Sequence, residues 1–351
     1  MIEPKNLLII RTDRIGDVVL SLPLAELIKR HYPNCKVTYL LREYTECLAD
    51  QHPFIDKMLL LKEKFGKVLV KENFRELRKH NFDTCVIVYP TFQTALITFL
   101  SGIKNRIGTG YRWYSFFFNH KIFEHRKYAE KHELEYNVNL LSVFGINETV
   151  NPKTVNFHLN ISSESELRIE RLLAENKVNS QLPIVIIHPG SGGSAVDLPI
   201  GSFVTLVTMI SNKLKATIIV TGSQLEKKLC DQLMLGSNVK NFAGMMLLSD
   251  MIALINKSTL FISNSTGPIH IAAALGKNTI GFYPKILSCS ANRWGPYSNK
   301  TKIFTPTIDC KDCNRKQCEK LDCMSSINME AVFLEAEKLL NFNKNVGEIN
   351  A

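Results

Sequence analysis

The sequence predicts an α/β chain of two domains, each a mostly parallel sheet covered by helices. Three observations carry this. Apolar, β-branched runs alternate with segments of helical periodicity, as parallel sheets with both faces covered require. The alternation occurs twice with the same order of strand, polar loop, helix and strand. And 351 residues are long for one core and natural for two.

The first run is NLLIIRTDRIGDVVLSLPLAELIKRHYPNCKVTYLL. It reads as a strand, a charged loop, a helix with Leu20, Leu24, Leu27 and Ile28 on one face, an HYPN break and a second strand. Two parallel strands need a crossover of this length. FDTCVIVYP reads as a further strand and NRIGTG as a strand end or loop. The second run is LPIVIIHPGSGGSAVDLPIGSFVTLVTMISNKLKATIIVTGS, in the same order. A helix in LLSDMIALINKS, a strand in TLFIS, the loop NSTGP, a helix in IHIAAALG and a strand in NTIGFYP follow. The polar segment Asn176–Pro183 is the expected linker, giving domains 1–175 and 182–351.

Hydrophobic residues make up 45% and charged residues 22%, an ordinary globular balance. No apolar run approaches the roughly 20 residues that cross a bilayer. The N-terminus lacks the basic start and longer apolar core of a signal peptide, so a cytoplasmic protein is expected. Lys and Arg number 43 against 33 Asp and Glu, a net +10. That favours an anionic partner, or a surface merely biased towards lysine. No nucleic-acid-binding module is recognisable, so nucleic acid is not an expected partner.

Three loops carry candidate chemistry. RTDRIGDVVLSLP follows the first strand with two arginines and two aspartates in seven residues. Asp17 is either an N-terminal helix cap, worth on the order of 1 kcal/mol, or a general base. Asp13 is the alternative base. Arg11 and Arg14 are salt-bridge partners or contacts for an anionic substrate. In IIHPGSGGSAVD, Gly and Ser after a strand free backbone N–H groups for phosphate, or make a plain turn. The loop matches neither G-x-x-x-x-G-K-[ST] nor G-x-G-x-x-G. In SNSTGPIHIAAALG, Thr266, Gly267 and Pro268 open a helix whose N-terminus suits a diphosphate. An ordinary cap by Ser265 or Thr266 is the alternative. His270 belongs to the core or reaches the ligand.

Taken together, RTDRIGDVVLSLP, HPGSG with its following LP and F, STGPIHIAAALG, GFYP and RWGP resemble the ADP-heptose:lipopolysaccharide heptosyltransferases, glycosyltransferase family 9. The resemblance runs in order over about residues 5 to 300. It implies two Rossmann-like domains facing a cleft, the GT-B fold. It also implies inverting, metal-independent transfer of a heptose or related sugar to the lipopolysaccharide inner core, with no cofactor. By the same resemblance Asp17 is the general base, and Gly190, Ser191, Thr266, Gly267, Pro268 and His270 hold the donor diphosphate. Glu226 stands where an acidic residue meets ribose hydroxyls, and Met245 lies near the adenine pocket. Asp13 and Arg14 are assigned to the acceptor. The implied partners are ADP-heptose, a lipid A–Kdo inner-core acceptor and the anionic inner membrane of a Gram-negative-type cell, bound peripherally. The sequence departs from the family pattern where Val196 replaces a lysine, Leu198 a tryptophan and Ser265 an aspartate.

Two further segments stand out. CKDCNRKQCEKLDC contains Cys310, Cys313, Cys318 and Cys323, a small zinc site, a disulfide loop or unligated thiols. YRWYSFFFNHKIFEHRK, Tyr111–Lys127, is a candidate acceptor or membrane contact, or else a partly buried helix–loop. The competing functional readings are a family member without turnover that binds an anionic glycolipid or a partner, and another nucleotide-sugar enzyme such as an epimerase.

Overall fold

The computed structural model describes residues 2–308 and 313–349. Cys310 lies outside them. The described chain divides into two compact units. One runs up to Arg126 and takes up again over Lys131–Asn160; the other holds Lys127–Glu130 and everything from Ile161 onward.

Each unit is built on a six-stranded sheet. In the first, β1 (Asn6–Ile10), β2 (Lys36–Leu41), β3 (Lys57–Leu60), β4 (Thr84–Ile87), β5 (Asn105–Thr109) and β6 (His120–Ile122) stand in the order β3-β2-β1-β4-β5-β6, all parallel. In the second, β7 (Ile184–His188), β8 (Thr217–Val220), β9 (Val239–Asn241), β10 (Leu260–Asn264), β11 (Asn278–Phe282) and β12 (Thr301–Phe304) stand as β9-β8-β7-β10-β11-β12, again all parallel. The order reverses beside β1 in one sheet and beside β7 in the other. Such a switch point opens a crevice at the carboxyl ends of the strands, where ligands of open parallel sheets bind.

The strands are nearly continuous apolar runs because both faces are covered. Leu7 to Ile10 and Val185 to Ile187 are fully buried, and burying each such side chain contributes roughly 1.5–3 kcal/mol. The first core gathers Leu8, Ile10, Leu40, Ile87 and Ile97; the second gathers Val185, Ile187, Phe203, Ile218, Ile262 and Phe282.

The crossover after β1 differs from the single helix expected. It is split into α1 (Ile15–Val19) and α2 (Pro23–His31). Pro23 has no N–H to donate and fits only at a helix start. Leu20 is therefore the last cap of α1, not a member of the following apolar face. The carbonyls released at the break find other partners: the Tyr39 hydroxyl donates to Ser21 O at 2.7 Å and Asn137 Nδ2 to Leu20 O at 3.0 Å.

The remaining helices used below are α3 (Val70–Lys79), α4 (Phe92–Leu100), α5 (Glu133–Asn139) and α6 (Ser163–Glu175). The last of these was expected in the first domain and belongs to the second unit. The cause is specific. Arg168 donates to Asp250 Oδ1 at 2.7 Å, fastening α6 to α9 (Leu248–Lys257), after α7 (Ile200–Lys213) and α8 (Lys227–Asp231). The polar segment around Asn176 is thus a loop inside the second unit. No helix among the described residues is long and apolar enough to cross a membrane.

Candidate functional site

In the first unit, the loop leaving β1 places Arg11 beneath two carboxylates. Arg11 is 1% exposed, and a buried guanidinium needs partners. Its Nε lies 2.8 Å from Asp13 Oδ1 as an ion pair without hydrogen-bond alignment, and its Nη2 donates to Asp17 Oδ1. Glu133, from α5, lies 3.7 Å away and accepts from Arg126. Asn137, one helical turn on, accepts from Arg126 at 3.0 Å and from Arg11 Nη1 at 3.5 Å. Burial disfavours the Arg11 cation, but Asp13, Asp17 and Glu133 outweigh this and raise its pKa.

Three carboxyl groups here meet two guanidinium groups, so one proton is in contention. Burial pushes Asp13 up to about 8 against the opposing pull of Arg11, and the Asp17 charge adds to the rise. Asp17 sits in the first turn of α1, and its side chain is the most open of the three, 16% exposed against 10% for Asp13 and 3% for Glu133. The Asp17 carboxylate is engaged by the Arg11 guanidinium as well as standing in the first turn of α1. Arg14 is the exposed residue at the α1 cap.

In the second unit, the loops leaving β7 and β10 lie side by side. Asn264 is 1% exposed and ties them together: its Nδ2 donates to Pro189 O at 2.6 Å and its Oδ1 accepts from Leu198 N at 2.8 Å. Between those two points the backbone turns through Gly192 and Gly193, both at positive φ, which glycine alone adopts without strain. Gly190 is needed for another reason. A Cβ there would stand 1.9 Å from Glu226 Oε1. Glu226 is held in place by the Ser223 N–H and hydroxyl, each donating to Oε2 at 2.8 Å. Burial works against its charge, but those hydrogen bonds keep its pKa below the usual value. His188 is buried, with Nδ1 3.0 Å from the Thr221 hydroxyl, and burial lowers its pKa to about 4, so the ring is neutral. Ser191 is buried, and its hydroxyl and N–H face the Asp197 carboxyl, whose pKa burial raises against their opposing pull.

After β10, Thr266 caps α10 (Gly267–Ala274) without a side-chain hydrogen bond to the helix end. The ordinary cap weighed as the alternative is therefore not made by the Thr266 side chain. Pro268 shapes the first turn but has no N–H to offer a ligand. His270 is buried within α10. Beyond it come α11 (Ala291–Trp294), α12 (Arg315–Lys320) and α13 (Met329–Ile349). Val196 lines a cavity of about 780 Å³ together with Lys285, Cys289 and Arg315. Arg315 Nη2 donates to Ala195 O at 2.8 Å, so a cation stands beside this loop although Val196 carries none.

The structure therefore brings Asp13 and Asp17 together on Arg11. It also gathers Gly190, Ser191 and Glu226 around one loop, with Thr266–His270 at the neighbouring strand end. Sequence reasoning missed Glu133, Asn137, Asn264 and Arg315, and Arg126, read within Tyr111–Lys127 as a candidate acceptor or membrane contact, is held by Glu133 and Asn137. HELEYN and the NS before TGP carried no spacing that set them apart. Cys318 and Cys323 are free thiols, with Cys313 beside them; burial first, and then the two neighbouring sulfurs, push Cys318 up to about 12. Among the described residues no group of three His, Cys, Asp or Glu side chains is arranged to hold a metal ion.

A family model described as glycosyltransferase family 9 (heptosyltransferase) matches residues 70–323. A Haemophilus influenzae protein provisionally named a glycosyltransferase is 28% identical over 308 residues, 85% of this chain and 88% of that one. Lipopolysaccharide heptosyltransferase 1 of Campylobacter coli is 25% identical over 349 residues, 94% of this chain and 98% of its own. The solved ADP-heptose LPS heptosyltransferase II of E. coli superposes with a TM-score of 0.78 at 19% identity, covering 97% of this chain and 99% of that one. The fold is the two-domain α/β architecture expected from the sequence, that of the GT-B heptosyltransferases.

Proposed function

Because the chain belongs to glycosyltransferase family 9, the heptosyltransferase family, we propose that it moves a heptose or related sugar from an ADP-sugar to a lipopolysaccharide inner-core acceptor. The observation that carries the reading is Asp17, fixed by the buried Arg11 guanidinium at the carboxyl end of β1. Asp17 takes the proton of an acceptor hydroxyl. The oxygen attacks the anomeric carbon from the side opposite the diphosphate, inverting it, and the diphosphate leaves.

The second unit supplies the anion site. Ser191, the N–H groups of the Gly190–Ser194 loop and the open N-terminus of α10 at Thr266 and Gly267 face the developing charge. Glu226 accepts from ribose hydroxyls, and His270 supports the diphosphate from α10. Asp13 and Arg14 serve the acceptor. The E. coli structure and the C. coli relative bear names that carry heptose and lipopolysaccharide, and this supports the same donor and acceptor class here. The acceptor is lipid-anchored, so the reaction is assigned to the cytoplasmic face of an anionic membrane, with peripheral attachment.

Val196 and Ser265 motivate a second reading, in which the chain binds an anionic glycolipid or partner without turnover. One experiment decides. The purified chain is incubated with a panel of nucleotide sugars and Kdo-bearing lipid A, and the acceptor is weighed. A heptose-sized gain with ADP-heptose alone is expected. Another sugar's mass keeps the mechanism and replaces the donor. No gain from folded protein with any donor overturns transfer.

A further inference from the structure

From Val88 to Phe123 the chain has four cations, Lys104, Arg106, Arg112 and Lys121, and not one Asp or Glu. The same stretch holds ten Phe, Tyr and Trp residues. A soluble surface ordinarily mixes both signs of charge and hides its aromatics. The structure shows where these go. Tyr114 and Phe118 turn inward and join the core beneath β4 and β5. Trp113 is 73% exposed, Phe116 64% and Phe99 49%.

The exposed rings are joined into one patch. Trp113 stacks on Phe92 at 5.1 Å, Phe92 meets Phe117 at 6.1 Å, and Phe117 touches Phe99 at 5.2 Å and Phe116 at 4.4 Å. Leu100 extends it at the end of α4. The cations stand on and around the rings. The Arg106 guanidinium lies 5.4 Å from the Phe99 ring and donates to Phe117 O at 2.7 Å. Lys104 and Arg112 are exposed at its margins. Arg106 directs its guanidinium to the Ile103, Lys104 and Phe117 carbonyls, leaving its charge without neutralisation by those partners.

We infer that this face of α4 and the segment after β5 is the surface by which the first unit docks on an anionic phospholipid bilayer. Aromatic side chains settle at the headgroup boundary, where one edge is apolar and the other wet. Lys and Arg beside them meet the negative surface potential. An acid-free stretch removes the repulsion that a protein surface of mixed charge would feel there. A protein partner would not demand the exclusion of every carboxylate over this length. The inference rests on the proposed lipid-anchored acceptor, for it places the enzyme where that acceptor lies.

The test is sedimentation of the full chain with vesicles of phosphatidylethanolamine and phosphatidylglycerol, against vesicles of phosphatidylcholine. The variants are Trp113→Ser with Phe116→Ser, and Lys104→Ser with Arg112→Ser. All four positions are exposed. Binding to the phosphatidylglycerol vesicles is expected for the parent chain. It should fall about 30-fold on removing the two cations and by a comparable factor on removing the two rings. Thermal unfolding unchanged in both variants establishes that they fold. Equal binding of parent and variants, or equal binding to both vesicle types, overturns the assignment. So does a parent chain that self-associates through the patch and ignores vesicles, which would make a second copy the occupant. Transfer to a deacylated, water-soluble acceptor should be the same in parent and variants. Its absence in the parent would sink the transfer reading while the sedimentation result still decides the surface.

Discussion

Arg11 donates to Asp17 from a side chain almost wholly closed to solvent, while the same guanidinium stands 2.8 Å from Asp13. One buried cation thus positions two carboxylates six residues of chain or less away.

Removing that cation should be among the costliest single changes in the first unit. Arg11→Met takes the guanidinium from Asp17 and leaves the buried Glu133 with Arg126 as its cation, and breaking such a pair typically costs 3–5 kcal/mol. Denaturant unfolding would measure it. A loss below about 1 kcal/mol would show that water enters the cluster and that the burial seen here does not persist.

Asp17→Asn should fold, bind ADP as the parent does and lose roughly 10²- to 10⁴-fold in transfer rate, the usual range for a positioned base. Calorimetry gives the binding and acceptor mass gives the rate. Full transfer from a well-folded variant would remove Asp17 from the proposed role.

Asp13 gives a pH signature. Its neutral form is favoured in the folded state, with the pKa raised from 3.8 to about 8 chiefly by burial. The folded chain therefore holds a proton that the unfolded chain releases. The resulting stabilisation is complete below about pH 4 and is lost as the pH rises through 8. Asp13→Asn should flatten this part of the stability profile. Parallel profiles in parent and variant would show that another group titrates there.

Gly190 and Glu226 should be coupled. Gly190→Ala drives a Cβ into the Glu226 carboxylate, which must leave its two hydrogen bonds to Ser223. Overpacking of this kind costs about 1–3 kcal/mol. In a Glu226→Ala background most of that cost should vanish, because the obstructing atoms are gone. Purely additive thermal shifts would place the strain elsewhere in the loop.

The sheets were legible in the sequence because buried parallel strands are near-continuous apolar runs, and LLII and IVII are hard to read otherwise. The loops at their ends were legible as positions: Asp17, Gly190 and Thr266 all stand where strands run out. What stayed hidden depends on contacts between distant segments. Asn264 looks like any polar residue before a turn until its amide is seen bridging Pro189 and Leu198. Glu133 and Asn137 reach Arg11 from more than a hundred residues away, and nothing in HELEYN announces it. The boundary between the units failed for a related reason. A polar run near Asn176 resembles a linker, but Arg168 on Asp250 and Lys257 on Glu170 fasten the preceding helix to α9 of the second unit.

The two sheets share a single strand order, and each ends in its own reversal point. A chain made this way can change by halves over descent. Val196 and Ser265, where the resemblance implies a lysine and an aspartate, stand in loops of the second unit that Asn264 braces, whereas Arg11 belongs to the first unit. On the proposed reading, a change of donor needs substitutions in one unit alone, and the base with its buried cation in the other unit can stay as it is.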